Sequence, residues 1–295
     1  MTRTFLIIPR VRVINANAMS APFIIGLPSI TSFMGFTHKL QLDIHEEINR
    51  DIRFLRTGIS IHSFNLRAYK EGSRNLLSIT RNPLKKDGTS PSFVEEAKCN
   101  FEVSIVIEVS GINCEENITD IISYLNSSLM KYKISSGDLL SFSNPLSDSI
   151  NVENISEVKG FLKKLMIGYV LTERKDLIKN RINEEKCTNS LDAMLDFLKI
   201  NIKDENGNKE FFKIESGWFV PISVGYHGIT PLISNKEGSS LDNNQRDPRF
   251  KHVFCESLIT LGEFKLPTTL NNIDDFLWKY AYESEKNYFY CTTHN

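Results

Sequence analysis

The clearest pattern of hydrophobic and polar positions lies near the start of the chain, from Thr4 to Ile14. An apolar run, Phe5–Ile8, is followed by a stretch in which Arg10 and Arg12 alternate with valines. Successive side chains of a strand point to opposite faces, so this pattern predicts a strand that is first fully buried and then half-buried. The two arginines are expected to share one face of that strand.

The first half of the chain predicts an α+β domain. Apolar spacing predicts a helix over Ile30–Leu42 that breaks near Asp43 and resumes from His45 to Leu55. Further elements are expected as the strands Ile59–Tyr69, Leu76–Thr80 and Cys99–Val109 and the amphipathic helix Ile118–Tyr132. This order of elements is that of a ferredoxin-like, RRM-like domain, which many RNA-recognition modules use. We therefore expect residues 1–135 to form an RRM-like RNA-binding domain, with residues 82–93 as an inserted, exposed loop.

The second half, residues 136–295, is less regular and predicts a helical insertion and C-terminal strand and helix elements that pack on the first domain. The expected elements are a linker or inserted loop over Ser135–Asn154, mainly helix over Val158–Ile182, a short helix Ser190–Ile200 with Ser190 as its N-cap, a tight turn at Asp204–Lys209, strands at Phe211–Ile214 and Trp218–Val224, an ambiguous segment Val253–Leu261, and a helix over Ile273–Tyr282.

Composition narrows the class of protein. The chain has 295 residues, 41% of them hydrophobic, which suffices for a normal core. It has no apolar run of membrane-spanning length and no signal-peptide pattern at its start, and its five cysteines are scattered. These features favour a reduced, cytoplasmic location.

Charge is distributed unevenly along the chain. Net charge is −1, but residues 1–90 hold 13 Lys/Arg against 6 Asp/Glu, and the remainder holds 22 against 30. A basic N-terminal part and an acidic remainder fit a protein whose anionic ligand contacts only one part of it. Chance segregation on a solvated surface is the simpler alternative.

Most catalytic and cofactor signatures are absent from the sequence. It contains no G-x-x-x-x-G-K-[ST], no G-x-G-x-x-G after a strand, no G-x-S-x-G and no metal-binding spacing of His and Cys, so no cofactor and no metal are expected. Gly225 and Gly228 have the wrong spacing for a nucleotide loop and indicate a sharp turn instead. A metal-free ribonuclease is harder to exclude, because it needs only a positioned histidine such as His38 beside a basic group.

The best candidate site is a set of basic, amide and hydroxyl groups. Guanidinium groups can pair with phosphates or stack on bases, carboxamides can read base edges, and a helix start offers free N–H groups. The groups are spread over several segments, which favours RNA over a small molecule. The predicted RNA-binding residues are Arg10, Arg12, Asn15, Asn17, Ser20, Ser29, Thr31, Arg81, Lys85, Lys86, Gly225, Tyr226, His227, Gly228 and Arg246.

Four collinear stretches resemble a known family. They are LIIPRVRVINANAMSAPFIIGLPSITSFMGFTHKL at the start, TRNPLKKDGTSPSFVEEAK from Thr80, GYVLTERKDL from Gly168, and WFVPISVGYHGITPL with RDPRFKHVFCESLITLGEF through Phe264. Together they resemble the Cas5-like RAMP-superfamily subunit of type I-F CRISPR surveillance (Csy) complexes, over nearly the whole chain. The tail, YESEKNYFYCTTHN, has no matching family pattern.

The resemblance implies a non-catalytic protein. Such a subunit pairs with the large subunit at the tail of the complex, holds the 5′ handle of the CRISPR RNA, and abuts the first repeated backbone subunit. It meets target DNA only indirectly, through the complex. The implied fold is a modified RNA-recognition domain with a protruding hairpin or thumb. Two alternatives stay open: a RAMP-type CRISPR RNA-processing endoribonuclease, and a structural adaptor that makes no RNA contact.

Overall fold

A computed structural model describes residues 1–78, 84–90, 96–112, 115–184, 186–205, 208–230 and 252–294. The strands are β1 (Thr2–Asn17), β2 (Met19–Ala21), β3 (Ile24–Ile25), β4 (Arg53–Leu66), β5 (Ala68–Glu71), β6 (Arg74–Leu77), β7 (Lys98–Ser110), β8 (Lys133–Ile134), β9 (Gly137–Ser141), β10 (Leu146–Asn151), β11 (Tyr169–Glu173), β12 (Asn201–Glu205), β13 (Asn208–Phe212), β14 (Trp218–Gly228), β15 (Cys255–Lys265), β16 (Leu277–Glu283) and β17 (Tyr288–Thr292). The helices are α1 (Ile30–Glu47), α2 (Glu115–Ser128), α3 (Ile155–Lys163), α4 (Lys175–Asn183) and α5 (Ser190–Leu198), with 3-10 turns at Leu129–Lys131, Pro267–Thr269 and Ile273–Phe276.

One large antiparallel sheet dominates the fold, and the predicted α+β class is confirmed. At its centre the strand order is β9–β1–β7–β4, and β10 also pairs with β1. Three two-stranded ribbons, β2–β3, β5–β6 and β12–β13, lie outside this sheet. Among the helices of the described residues, none combines the length and apolar character needed to span a membrane.

The first strand is apolar on both faces because two separate cores cover it. Leu6 and Ile8 belong to the larger core, which also holds Phe33 and Leu40 of α1. Phe5 belongs to a second core beneath α3, where its ring lies 5.0 Å from that of Phe161. A strand covered on both faces loses the alternation of a half-buried one, which explains the continuous apolar run at the start of β1.

The C-terminal strands close a ring against β4. The far edge of β4 is shared between β16, which pairs at Gly58, and β11, which pairs at Ile61. The pairings β11–β15, β15–β14, β14–β17 and β17–β16 complete a ring of six strands. Trp278, only 1% exposed, packs in the larger core and donates from Nε1 to the Leu171 carbonyl at 3.3 Å.

Three predictions of local structure are wrong. Ser135–Asn154 is not a linker, because it contains β9 and β10, which both pair with β1. Val158–Ile182 is interrupted by β11 between α3 and α4. Ile273–Tyr282 is a 3-10 turn followed by β16 rather than a helix. In each case pairing with a strand distant in sequence supplies backbone hydrogen bonds that the local pattern does not reveal.

The first helix also differs from its prediction. It runs unbroken to Glu47, because the Asp43 carboxylate accepts hydrogen bonds from Lys39 Nζ at 2.5 Å and from the Tyr132 hydroxyl at 2.5 Å. The expected continuation to Leu55 is wrong, since residues from Arg53 onward belong to β4.

Other local predictions are confirmed or refined. The strand over Cys99–Val109 is present, β12 and β13 pair as strands that flank the predicted turn, and Val253–Leu261 is mostly strand. The short helix at 190–198 is present too, but its N-cap is Asn189, whose side chain accepts from the Asp192 N–H at 2.9 Å.

Candidate nucleic-acid interface

Arg10 and Arg12 lie where β1 departs from regular pairing with β7. A register shift falls between Ile8 and Val11, and Arg10 adopts a φ of 55° within it. The Arg10 guanidinium donates to Glu102 Oε1 at 3.0 Å and to the Met166 carbonyl at 3.4 Å. Such a bulge re-aims a side chain without ending the strand.

Arg12 is the more available of the two cations. It is exposed, it pairs across the strands with Glu102 on β7, and in the part of the chain that the structure describes its guanidinium has no ion-pair partner. Val11 and Val13 are fully buried in the larger core. The two arginines thus lie opposite the valines, as the alternation predicts.

His62 lies beside Arg10 and was not singled out by the sequence pattern. Its Nδ1 is 2.5 Å from the Ile167 carbonyl, which can only accept, so Nδ1 carries the hydrogen. Its Nε2 is 2.7 Å from Ser104 Oγ and therefore accepts from that hydroxyl. Burial lowers the pKa of His62, with the nearby Arg10 charge acting in the same direction. The lowered pKa favours the neutral ring, and both ring nitrogens are engaged in hydrogen bonds.

An aromatic groove adjoins His62. We define the aromatic groove as the cavity of about 360 Å³ lined by Gly26, Leu27, Ile61, His62, Ser63, Phe64, Tyr169, Trp218, Val220 and Phe264. The Trp218 ring lies 5.2 Å from Tyr169, edge-on, and 5.1 Å from Phe264. Trp218 is 55% exposed and Phe64 40% exposed, so the rings form an open apolar wall rather than core.

The amide and hydroxyl residues after Arg12 are partly used by the fold. Asn15 occupies a second bulge with a φ of 57°, and its side-chain Oδ1 is buried without a hydrogen-bond partner in the described structure. The Asn17 carboxamide donates to the Met19 carbonyl and accepts from the Met19 N–H, both at 3.1 Å. Its two polar atoms therefore close a local turn. Ser20 Oγ, like Asn15 Oδ1, has no hydrogen-bond partner among the described residues.

The start of α1 is an uncapped helix N-terminus. Ser29 is the N-cap, but its hydroxyl lies 2.9 Å from that of Thr31 and 3.0 Å from that of Ser32, and it makes no side-chain hydrogen bond to the helix backbone. Thr31 borders an aromatic patch that includes Tyr226 and Tyr282.

Gly225–Gly228 is not a turn, which corrects the interpretation from its two glycines. These residues are the end of β14 and pair with both β15 and β17. A Cβ on Gly225 would collide with the Phe289 carbonyl oxygen, and one on Gly228 with Asn287 Nδ2. The glycines permit close approach of neighbouring chain segments inside the sheet.

The side chains between those glycines face different surroundings. Tyr226 is partly exposed and pairs across the strands with Phe289, which in turn pairs with Tyr282. His227 Nδ1 is 2.9 Å from Glu256 Oε1, and its ring meets Tyr288 edge-on at 5.0 Å.

The structure separates the predicted residues into groups. Tyr226 lies eight residues along β14 from Trp218, about 26 Å at strand rise, so these two aromatic side chains belong to separate parts of the surface. Lys85 and Lys86 lie on an exposed turn that includes Gly88, whose φ is 77°. Arg81 and Arg246 lie outside the described residues.

Within the described ranges, no group of three or more His, Cys, Asp and Glu side chains is placed to hold a metal ion. His38, the candidate base of the ribonuclease alternative, is an exposed residue of α1.

At the level of class, the chain is an α+β protein whose candidate site combines arginines and exposed aromatic rings on a large antiparallel sheet. A family model described as CRISPR-associated protein (Cas_Csy2) matches residues 6–291, so the chain belongs to the Csy2 family of CRISPR-associated proteins. It is 27% identical over 315 residues to the CRISPR-associated protein Csy2 of Pseudomonas aeruginosa (strain UCBPP-PA14), covering 98% of this chain and 94% of that relative.

Proposed function

We propose that the chain is a non-catalytic subunit of a type I-F CRISPR surveillance complex and binds the 5′ handle of the CRISPR RNA. In this proposal it pairs with the large subunit, abuts the first repeated backbone subunit, and meets target DNA only through the complex. It acts in the cytoplasm and uses no cofactor. Membership of the Csy2 family supports the assignment to a CRISPR complex.

The strand order supports the RAMP part of the proposal. Taking β1, β4, β7 and β9 as the four strands of a βαββαβ unit, α1 follows the first and α2 the third. Their order in the sheet, β9–β1–β7–β4, is the order expected of a ferredoxin-like domain, the architecture of many RNA-recognition modules.

The observation that carries RNA binding is the exposed guanidinium of Arg12 beside Arg10. Replacing Arg12 by Ala removes one cation without creating a cavity, because the side chain is on the surface. We expect weaker binding of the handle RNA at low salt. The slope of log K against log salt should fall by about 0.7 if one phosphate contact of a single strand is lost.

The matched control is Arg53→Ala. Arg53 is also an exposed arginine of the central sheet, but it lies ten residues along β4 from Ser63, the β4 residue in the cross-strand row with Arg12 and Glu102. That is about 33 Å at strand rise. Equal salt slopes for the wild type, the control and the Arg10→Ala, Arg12→Ala double variant would favour the structural adaptor without RNA contact.

The endoribonuclease alternative is tested by incubating the pure protein with repeat RNA in EDTA. We expect no cleavage, and His38→Ala and His227→Ala should change no rate. Metal-independent cleavage that a histidine substitution abolishes would reject the non-catalytic assignment.

A further inference from the structure

The aromatic groove exposes ring surface of three residues, with Trp218 55%, Phe64 40% and Tyr169 38% exposed. Trp218 is held between Tyr169 and Phe264 by the edge-on and tilted ring contacts described above. An aromatic side chain fixed in this way loses little conformational entropy when a ligand packs on it. Exposed, rimmed apolar surface of this kind marks an interaction site.

The groove and the two arginines are neighbours. His62, which lines the groove, and Arg10 contact consecutive backbone carbonyls, those of Ile167 and Met166. His62 Nε2 and the Arg10 N–H also share Ser104 Oγ, at 2.7 and 3.2 Å. On the sheet, Arg12 is separated from the groove-lining residue Ser63 by β7 alone, a distance of about 10 Å.

An apolar wall next to the partly exposed Arg10 and the exposed Arg12 matches one repeating unit of a single-stranded nucleic acid, which carries a planar base and an anionic phosphate. We propose that the aromatic groove receives one unpaired base of the bound RNA, stacked on Trp218, while the adjoining phosphates lie over Arg10 and Arg12. This inference rests on the proposed function and names the part of the surface that takes a base. At about 360 Å³ the groove has the size of a small-ligand site.

The test asks whether removing one base and removing the Trp218 ring weaken RNA binding through the same contact. The full-length chain is titrated with the handle RNA and with a series of the same RNA carrying a single abasic position. At one position, loss of the base should weaken binding by about tenfold, the order expected for one base stacked on an aromatic ring. Trp218→Ala should show the same loss with intact RNA and no further loss with that abasic RNA.

Two controls distinguish base stacking on an aromatic ring from the mere presence of an apolar side chain. Trp218→Phe keeps a π face and should retain more affinity than Trp218→Leu. Leu42→Ala removes an exposed apolar side chain of α1 that does not line the groove, and it should leave RNA binding unchanged. The coupling should persist at high salt, where the effect of Arg12→Ala fades, because stacking does not depend on counterion release.

A second measurement needs no substitution. The chain has two tryptophans, and Trp278 is buried, so acrylamide-quenchable emission belongs to Trp218. Intact RNA should shield that emission, and the critical abasic RNA should not.

The outcomes distinguish the two claims. Failure of the chain to bind RNA at all would reject the proposed function. Salt-dependent RNA binding with no coupling at any abasic position would reject only the stacking site. Shielding of Trp218 by the large subunit in the absence of RNA would show that the groove takes a protein segment and would overturn the inference.

Discussion

Two glutamates of β7 form ion pairs with arginines of β1, one pair buried and the other partly exposed. Replacing each glutamate by the neutral glutamine should therefore lower the free energy of unfolding by different amounts. Glu108 accepts two hydrogen bonds from Arg3, both at 2.7 Å, and both side chains are about nine-tenths buried, at 9% and 10% exposure. Glu102 accepts one bond from Arg10 at 3.0 Å, and these side chains are 29% and 41% exposed.

The buried pair is part of a larger network. Arg56 lies 3.6 Å from Glu108, and Asp274 accepts from Arg3 at 2.7 Å and from Arg56 at 2.8 Å. Glu108→Gln would take from the largely buried Arg3 guanidinium the carboxylate that accepts two of its hydrogen bonds, and would leave it the bond to Asp274. Breaking a buried pair on one side typically costs 3–5 kcal/mol, so with Asp274 still present we expect a loss of about 3 kcal/mol.

Glu102→Gln is the matched control, because it makes the same chemical change on the same strand. A partly exposed pair is worth no more than about 1 kcal/mol. Urea unfolding followed by tryptophan emission should therefore show a clearly lower midpoint for Glu108→Gln than for Glu102→Gln. Equal midpoints for the two variants would refute the argument that burial makes the Arg3–Glu108 pair costly to break.

Three further predictions concern other parts of the molecule. Burial lowers the pKa of His62, so the unfolded chain binds a proton more readily there, and stability should fall as pH drops from the ordinary histidine value of about 6.5 toward the folded value. His62→Gln should flatten that part of the pH–stability curve. Gly225→Ala should cost about 1–3 kcal/mol, because its Cβ meets the backbone oxygen of Phe289 inside the sheet. Shortening loop 82–93 to a tight Asn-Gly turn should weaken assembly with partner subunits while leaving the melting temperature of the isolated chain unchanged, since residues 84–90 are exposed.

Each of these has a direct check. NMR titration of the His62 ring at or above the ordinary pKa would contradict the burial argument. Gly26→Ala is the control for Gly225→Ala, because among the described residues other than its chain neighbours no heavy atom lies within 4 Å of the added Cβ. Normal assembly of the shortened-loop variant, measured by size exclusion after co-expression, would show that the loop makes no essential contact.

Local patterns in the sequence were sufficient for several elements. The period-2 alternation of Cys99–Val109 corresponds to β7, and the apolar spacing after Ser29 corresponds to α1. The arrangement of Arg10 and Arg12 opposite buried valines also followed from alternation alone. These features depend on which face of one element is buried, and that information is written into neighbouring residues.

Long-range pairing decided the features that the patterns missed. Leu277 and Trp278 belong to a strand because β4 supplies their partners from a distant part of the chain, and Tyr280 and Tyr282 extend that strand by pairing with the neighbouring β17. Asn17 has the same side chain as any base-reading asparagine, and only the folded turn shows that Met19 occupies both of its polar atoms.

The candidate site likewise combines residues that local sequence patterns identify with residues that only long-range strand pairing brings together. Its cations could be chosen from the sequence, because charge and strand period are local properties. Its aromatic groove could not, because Phe64, Tyr169 and Trp218 come from three strands that meet only when β11 and β14 close the ring against β4. Whether an aromatic side chain is core or open wall depends on what covers it, and the tertiary structure alone decides that.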